Sequence, residues 1–68
     1  MEEKIINQLN KKIFQLNKSE TLFVIDAVEN TDFNSDIDVE ILIERIAEYL
    51  KTNESAIGDV IYELINNN

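Results

Sequence analysis

The length, composition and charge of this chain exclude several classes of function before any motif is considered. Its 68 residues suit one small domain, which can bury only about 60% of the surface that the unfolded chain exposes. The chain has one glycine and no cysteine, histidine or proline, so we expect no disulfide, no thiolate or imidazole metal site and no glycine-rich phosphate loop. Its net charge of −8 disfavours binding to nucleic acid or to an anionic membrane.

The hydropathy pattern predicts a globular cytoplasmic protein with an all-α fold. The longest uninterrupted apolar run covers residues 22–25, whereas a membrane-spanning helix needs about 20 apolar residues. The start of the chain at Glu2 and Glu3 does not resemble a signal peptide. Hydrophobic residues make up 44% of the chain and isoleucine occurs eleven times, which is enough to build a core despite the high charge.

Apolar residues recur every three or four positions in the first segment, which predicts an amphipathic helix from about Glu2 to Asn17. Its stripe consists of Ile5, Leu9, Ile13 and Leu16, flanked by Ile6 and Phe14. Residues 1–18 carry four lysines against two glutamates, whereas residues 19–68 carry twelve acids against one arginine and one lysine. This asymmetry predicts either that the first segment docks on an acidic surface, including that of its own chain, or simply that the charges form a solvated surface.

Ser19 has the properties of an N-cap for a second helix that runs to about Asn30, and Glu20 in the first turn would favour the helix dipole. The pattern does not indicate whether Val24 lies on the buried or the exposed face of this helix. The residues expected to be buried are Leu22, Phe23, Ile25, Ala27 and Val28.

Polar residues between Asn30 and Asp38 interrupt the periodicity, and Ser35 with Asp38 three residues later has the form of a capping pair. A third helix is therefore predicted from about Asp36 to Lys51. Its buried stripe is expected to contain Val39, Leu42, Ile43, Ile46 and Leu50. This assignment leaves Ile41 and Tyr49 off the stripe.

The segment from Asp32 to Ile43 begins like a calcium-binding loop, because oxygen-bearing side chains alternate along it. Its sixth position is Ile37 where that loop needs glycine, and its twelfth is Ile43 where a glutamate should close the site. Neither Ser19 nor Ser35 lies in the Asp-Ser-Leu context of a phosphopantetheine carrier. We therefore expect no metal site, no cofactor and no catalytic residue.

Asn53 is predicted to cap a fourth helix. Its inward residues are expected to be Ala56, Ile57, Val60, Ile61, Leu64 and Ile65. The third and fourth helices resemble a helix-turn-helix, because Ala47 supplies a small residue at the contact between them. Leu50, Ile57 and Ile61 fall where that motif fills the angle between its helices. With the preceding helix, residues 17–65 resemble the three-helix part of the MarR-type winged helix-turn-helix family, over about two thirds of the chain.

The sequence departs from this family at the turn, at the wing and in the charge of the recognition helix. Lys51 stands where the family has glycine in a left-handed backbone conformation, and residues 1–68 do not extend far enough past the fourth helix to include the β-hairpin wing of the family. The positions that would face DNA are Asn53, Glu54, Ser55, Gly58, Asp59 and Tyr62. Each carboxylate held near a phosphate costs on the order of 1 kcal/mol, so this helix is not expected to bind DNA. A simple helical bundle whose apolar spacing coincides with the motif is the alternative interpretation.

Our leading hypothesis is one small domain over residues 1–68, with an N-terminal amphipathic helix over residues 1–17 and a three-helix core over residues 18–65. It would act as an acidic protein-interaction module that regulates a partner with a basic surface, such as a bacterial or phage antirepressor or an inhibitor of a DNA-binding protein. The candidate partner-binding residues are Glu44, Glu48, Tyr49, Glu54, Asp59, Tyr62 and Glu63. The alternatives are a dimeric helix-turn-helix DNA-binding regulator and a homo-oligomeric structural module that pairs through Ile6 and Phe14.

Overall fold

The computed structural model describes residues 1–67 and has four α-helices and no strand in that range. The helices are α1 (Glu2–Lys12), α2 (Lys18–Glu29), α3 (Asp36–Leu50) and α4 (Glu54–Asn66). Each helix packs on the next, and α4 packs on α1, so the four helices form a closed ring. The all-α, four-helix fold expected from the sequence is confirmed.

The core lies inside this ring and takes apolar side chains from all four helices. Its most completely buried members are Ile5, Leu9, Val24, Leu42, Ile46, Ile57, Val60 and Ile61. Burying one such side chain contributes about 1.5–3 kcal/mol relative to leaving it in water. Within residues 1–67 no polar or charged residue is buried, and no helix is both long and apolar enough to cross a bilayer.

The first helix is shorter than predicted, because it ends at Lys12 and not at Asn17. The side chain of Asn10 accepts a hydrogen bond from the backbone N–H of Leu16 at 2.8 Å, which stabilises a non-helical turn after α1. Leu16 therefore enters the core from the connection between α1 and α2. The apolar spacing of the sequence continues past the end of α1 because Leu16, in the connection, also contacts the core.

The cap of α2 also differs from the prediction. Asn17, and not Ser19, is the N-cap: its Oδ1 accepts from the backbone N–H of Glu20 at 2.8 Å, and Oε1 of Glu20 accepts from the backbone N–H of Asn17 at 2.8 Å. This reciprocal pair is a capping box, and it satisfies two backbone donors that the helix itself leaves free. The helix begins at Lys18 as a result.

The buried face of α2 is rotated from the one expected. Val24, Ala27 and Val28 are buried, whereas Leu22 is 56% exposed and Phe23 and Ile25 are half-buried. Residues that are two positions apart in a helix point about 200° away from each other around its axis. Because Val24 faces the core, Leu22 faces solvent. The predicted burial of Leu22 is therefore wrong.

The third and fourth helices follow the predictions more closely. The hydroxyl of Ser35 accepts from the backbone N–H of Asp38 at 3.3 Å, and the predicted stripe of α3 is buried. Asn53 caps α4 by accepting from the backbone N–H of Ala56 at 2.8 Å. Between them Lys51 has φ 57° and ψ 45°, which is the left-handed conformation expected at this turn.

Candidate functional site

A groove of about 500 Å³ lies on the surface between α3 and α4, and we call it the acidic groove. Its most buried lining residues are Ile43 and Gly58, and Tyr62, which is 41% exposed, stands beside them. Carboxylates line it from both helices. They belong to Glu40 and Glu44 of α3 and to Glu54 and Asp59 of α4. The groove thus combines an apolar floor with walls of one charge.

The four carboxylates of the acidic groove are exposed and form no ion pair within residues 1–67. Glu40 and Glu44 are one helical turn apart, and like charges at this spacing repel by a few tenths of a kcal/mol. Glu54 lies in the first turn of α4, where the helix dipole favours a negative charge. A cationic group bound in the groove would relieve the repulsion on the α3 side.

Four of the seven residues predicted to bind a partner line the acidic groove. These residues are Glu44, Glu54, Asp59 and Tyr62. Glu48 lies in an adjoining depression with Thr52 and Asn53, which Glu44 and Glu54 also border. The predicted set is therefore largely brought together by the packing of α3 against α4.

Tyr49 is placed differently from the groove residues. Its ring stacks on Phe23 of α2, with ring centroids 4.0 Å apart and planes within 5°, and the guanidinium of Arg45 lies 5.6 Å from the centre of the Phe23 ring. These contacts join α2 to α3. Tyr49 is 44% exposed, so part of its surface still faces solvent, but it does not line the acidic groove.

Glu63 also does not line the groove. Its Oε2 accepts a hydrogen bond from Nζ of Lys12 at 2.6 Å. This ion pair joins α1 to α4. It is a contact of the kind expected if the basic first segment docks on the acidic remainder of its own chain. Both side chains are about half exposed, and such pairs contribute only about 0–1 kcal/mol. The full burial of Ile5 and Leu9 is the larger contribution to the docking of α1.

Glu40 is a groove residue that the sequence analysis missed. It is not among the candidate partner-binding residues, although its spacing of four residues from the candidate Glu44 places both on one side of α3. That spacing was the available signal. Choosing it over other helical pairs required knowing which side of α3 adjoins α4.

The positions that the resembled motif would turn toward DNA lie together on this surface. Glu54, Ser55, Gly58, Asp59 and Tyr62 line the acidic groove, and Asn53 borders the adjoining depression. They present negative charge to solvent. The two carboxylates in this set, of Glu54 and Asp59, would each oppose DNA binding by an amount on the order of 1 kcal/mol if held near a phosphate.

The loop that begins like a calcium site is a hydrogen-bonded turn. Oδ1 of Asp32 accepts from the backbone N–H of Asn34 at 2.9 Å, and Oδ2 of Asp38 accepts from the backbone N–H of Asp32 at 3.3 Å. These carboxylates are used to hold the chain between α2 and α3.

Comparison of the chain with known protein families, with curated proteins and with solved structures gave no match. The resemblance to the MarR-type family therefore stays a prediction. The burial of Ala47, Leu50, Ile57 and Ile61 agrees with the helix-turn-helix interpretation and with a simple helical bundle alike.

Proposed function

We propose that this protein is a small acidic interaction module that binds a basic surface of another protein through the acidic groove and thereby regulates it, without catalysis. The supporting observation is the presence of exposed carboxylates without ion-pair partners on both walls of one groove with an apolar floor. Apolar contact and an aromatic side chain supply binding energy at protein interfaces, while the surrounding charges select the partner and speed its approach.

DNA-binding proteins are the partner class that this chemistry favours. Their DNA-contacting surfaces are basic because they must neutralise phosphates. A module with a net charge of −8 that covers such a surface would prevent DNA binding by occupying it. We therefore propose a cytoplasmic antirepressor or inhibitor of bacterial or phage origin.

The test compares two variants with the same change in net charge. The first is Glu54→Lys with Asp59→Lys in the acidic groove; the control is Glu3→Lys with Glu29→Lys on exposed positions away from it. Each protein is used to capture binding proteins from a lysate of the native host, and the affinity and association rate are then measured with the purified partner. We expect the groove variant to bind at least tenfold more weakly, the control to bind within about twofold of wild type, and added salt to slow association.

If both variants lost affinity for the partner equally, net charge alone would explain the loss, and the proposal that the groove binds the partner would be wrong. Retention of the partner by the groove variant at unchanged affinity would also contradict that proposal. Retardation of random duplex DNA by the wild-type protein at low salt would instead favour the dimeric DNA-binding alternative.

The homo-oligomeric alternative has its own measurement. Ile6 is half-buried against the core, and Phe14, 37% exposed, lies in the connection after α1 and not in the helix, so pairing would use mainly this connection. Sedimentation over a concentration series would detect such pairing, and a monomer at all concentrations would exclude it.

A further inference from the structure

Gly58 lies in the interior of α4, where glycine is less favourable than alanine because it loses more backbone freedom on folding. A left-handed backbone would explain the choice, but Gly58 has no positive φ. Close approach of another backbone would also explain it. However, a Cβ built on Gly58 would have as nearest neighbours Cδ1 of Ile43 and Cδ2 of Tyr62, both at 3.9 Å, which is ordinary van der Waals contact. The packing of the helices does not require glycine here.

The absent side chain instead shapes the acidic groove. Gly58 lines the groove between Ile43 and Tyr62, so a methyl group at this position would occupy space between the two side chains. Because position 58 is glycine, the space between these two side chains is left unfilled. The surrounding carboxylates belong to Glu40, Glu44, Glu54 and Asp59.

We propose that the acidic groove receives an arginine side chain of the partner, and that Gly58 is the residue that admits it. This inference rests on the proposed function, and it specifies the chemistry that the groove recognises. Arginine combines an apolar stem, which would contact Ile43 and the Gly58 backbone, with a planar cation that stacks on aromatic rings such as Tyr62. Its guanidinium also donates several hydrogen bonds in a fixed plane, which suits carboxylates on two sides of one groove. Lysine has the charge but not the planar face.

The probe is an alanine- and leucine-based helical peptide, blocked at both ends, with two arginines one turn apart on its polar face. Two matched peptides carry lysine or citrulline at the same positions; citrulline keeps the size and shape of arginine and removes its charge. Each peptide is titrated into the isotopically labelled full chain and followed by backbone amide NMR. Gly58 is the only glycine in the sequence, so its amide resonance is a ready reporter at the groove floor.

We expect the arginine peptide to shift the amides of Gly58, Asp59 and Tyr62. The lysine peptide should bind several-fold more weakly, and the citrulline peptide at least tenfold more weakly. Gly58→Ala should raise the melting temperature by roughly 4 °C or more while weakening the arginine peptide at least fivefold. Tyr62→Leu should also weaken binding, whereas Leu22→Ala, on the exposed face of α2, should leave affinity unchanged.

Equal affinity for arginine and lysine would overturn the arginine specificity while leaving the proposed function intact. Unchanged affinity in Gly58→Ala would remove the role of Gly58. Shifts confined to other surfaces, or no binding of the arginine peptide, would overturn the whole inference. The proposed function fails separately, by the result of the charge-reversal comparison with the captured partner.

Discussion

Lys51 has the only positive φ among residues 1–67, and its strain is local. The left-handed conformation lets the backbone N–H of Thr52 donate to the carbonyl of Ala47 at 3.0 Å, which satisfies a carbonyl at the end of α3. A residue with a Cβ incurs about 1–2 kcal/mol in this conformation, and glycine avoids that cost while adding entropy to the unfolded chain.

We therefore expect Lys51→Gly to raise the free energy of unfolding by about 0.5–1 kcal/mol, measured by urea denaturation. The matched control is Lys11→Gly in the last turn of α1, where the helical backbone makes glycine unfavourable. That variant should be less stable than wild type by about the same amount. Opposite signs for the same substitution identify backbone conformation as the cause, and destabilisation by Lys51→Gly would contradict it.

The side chain of Asn17 is expected to matter more than that of Ser19 at the start of α2. Asn17→Ala removes one half of the capping box and should lower the free energy of unfolding by about 1 kcal/mol. Ser19→Ala, at an exposed position inside the helix, should change it by less than about 0.5 kcal/mol. Thermal unfolding of the two variants measures the difference. A larger loss of unfolding free energy in Ser19→Ala than in Asn17→Ala would show that Ser19 is the N-cap.

At the scale of the helices, α1 is part of the core. Ile5 and Leu9 are completely buried, so Ile5→Ala should lower the free energy of unfolding by about 2–5 kcal/mol. A domain of this size has a total stability of only a few kcal/mol, and we expect this variant to be partly unfolded at 25 °C by circular dichroism. Leu22→Ala is the control of similar chemistry on an exposed position and should stay within about 0.5 kcal/mol of wild type. Wild-type stability of Ile5→Ala would show that α1 is dispensable for folding.

The sequence predicted α3 and α4 better than α1 and α2 for a physical reason. The caps Ser35 and Asn53 lie directly before long periodic segments, so the local signals agree with the tertiary packing. In α2, residues 22–25 are all apolar, and the sequence alone does not determine which of them faces the core. The neighbours α1 and α3 decide this orientation, through contacts that are distant in sequence.

The sequence predicted candidate partner-binding residues but not the acidic groove itself. Of the candidates that line it, Glu54, Asp59 and Tyr62 occupy the outward positions of the recognition helix in the resembled motif, whereas Glu44 does not. Glu40 lines the groove but was not a candidate, and Glu63 was a candidate but pairs with Lys12 outside the groove, since these placements depend on how α3 and α1 pack on α4. Side-chain pairing across helices is a property of the packed molecule, not of one helix.

At the scale of the whole molecule, negative charge far outweighs positive charge. The net charge is −8, and within residues 1–67 the only ion pair between side chains joins Lys12 to Glu63. Charges of one sign destabilise a compact state, and salt screens them over distances beyond about 10 Å at 0.1 M.

Raising sodium chloride from about 10 mM to about 500 mM should therefore raise the melting temperature by several degrees. The variant Glu54→Lys with Asp59→Lys loses two acids and gains two bases, which changes the net charge from −8 to −4. Its melting temperature should depend less steeply on salt. A melting temperature that falls with salt would mean that attractive pairs outweigh the repulsion.

The closed ring of helices has a consequence for how the protein is made. The ion pair between Lys12 and Glu63 spans 51 positions, and α1 contacts α4 as well as α2. On the ribosome, Ile5 and Leu9 are synthesised before α4, the helix that covers them from the other side. Until α4 has also left the exit tunnel, the nascent chain exposes the apolar stripe of α1.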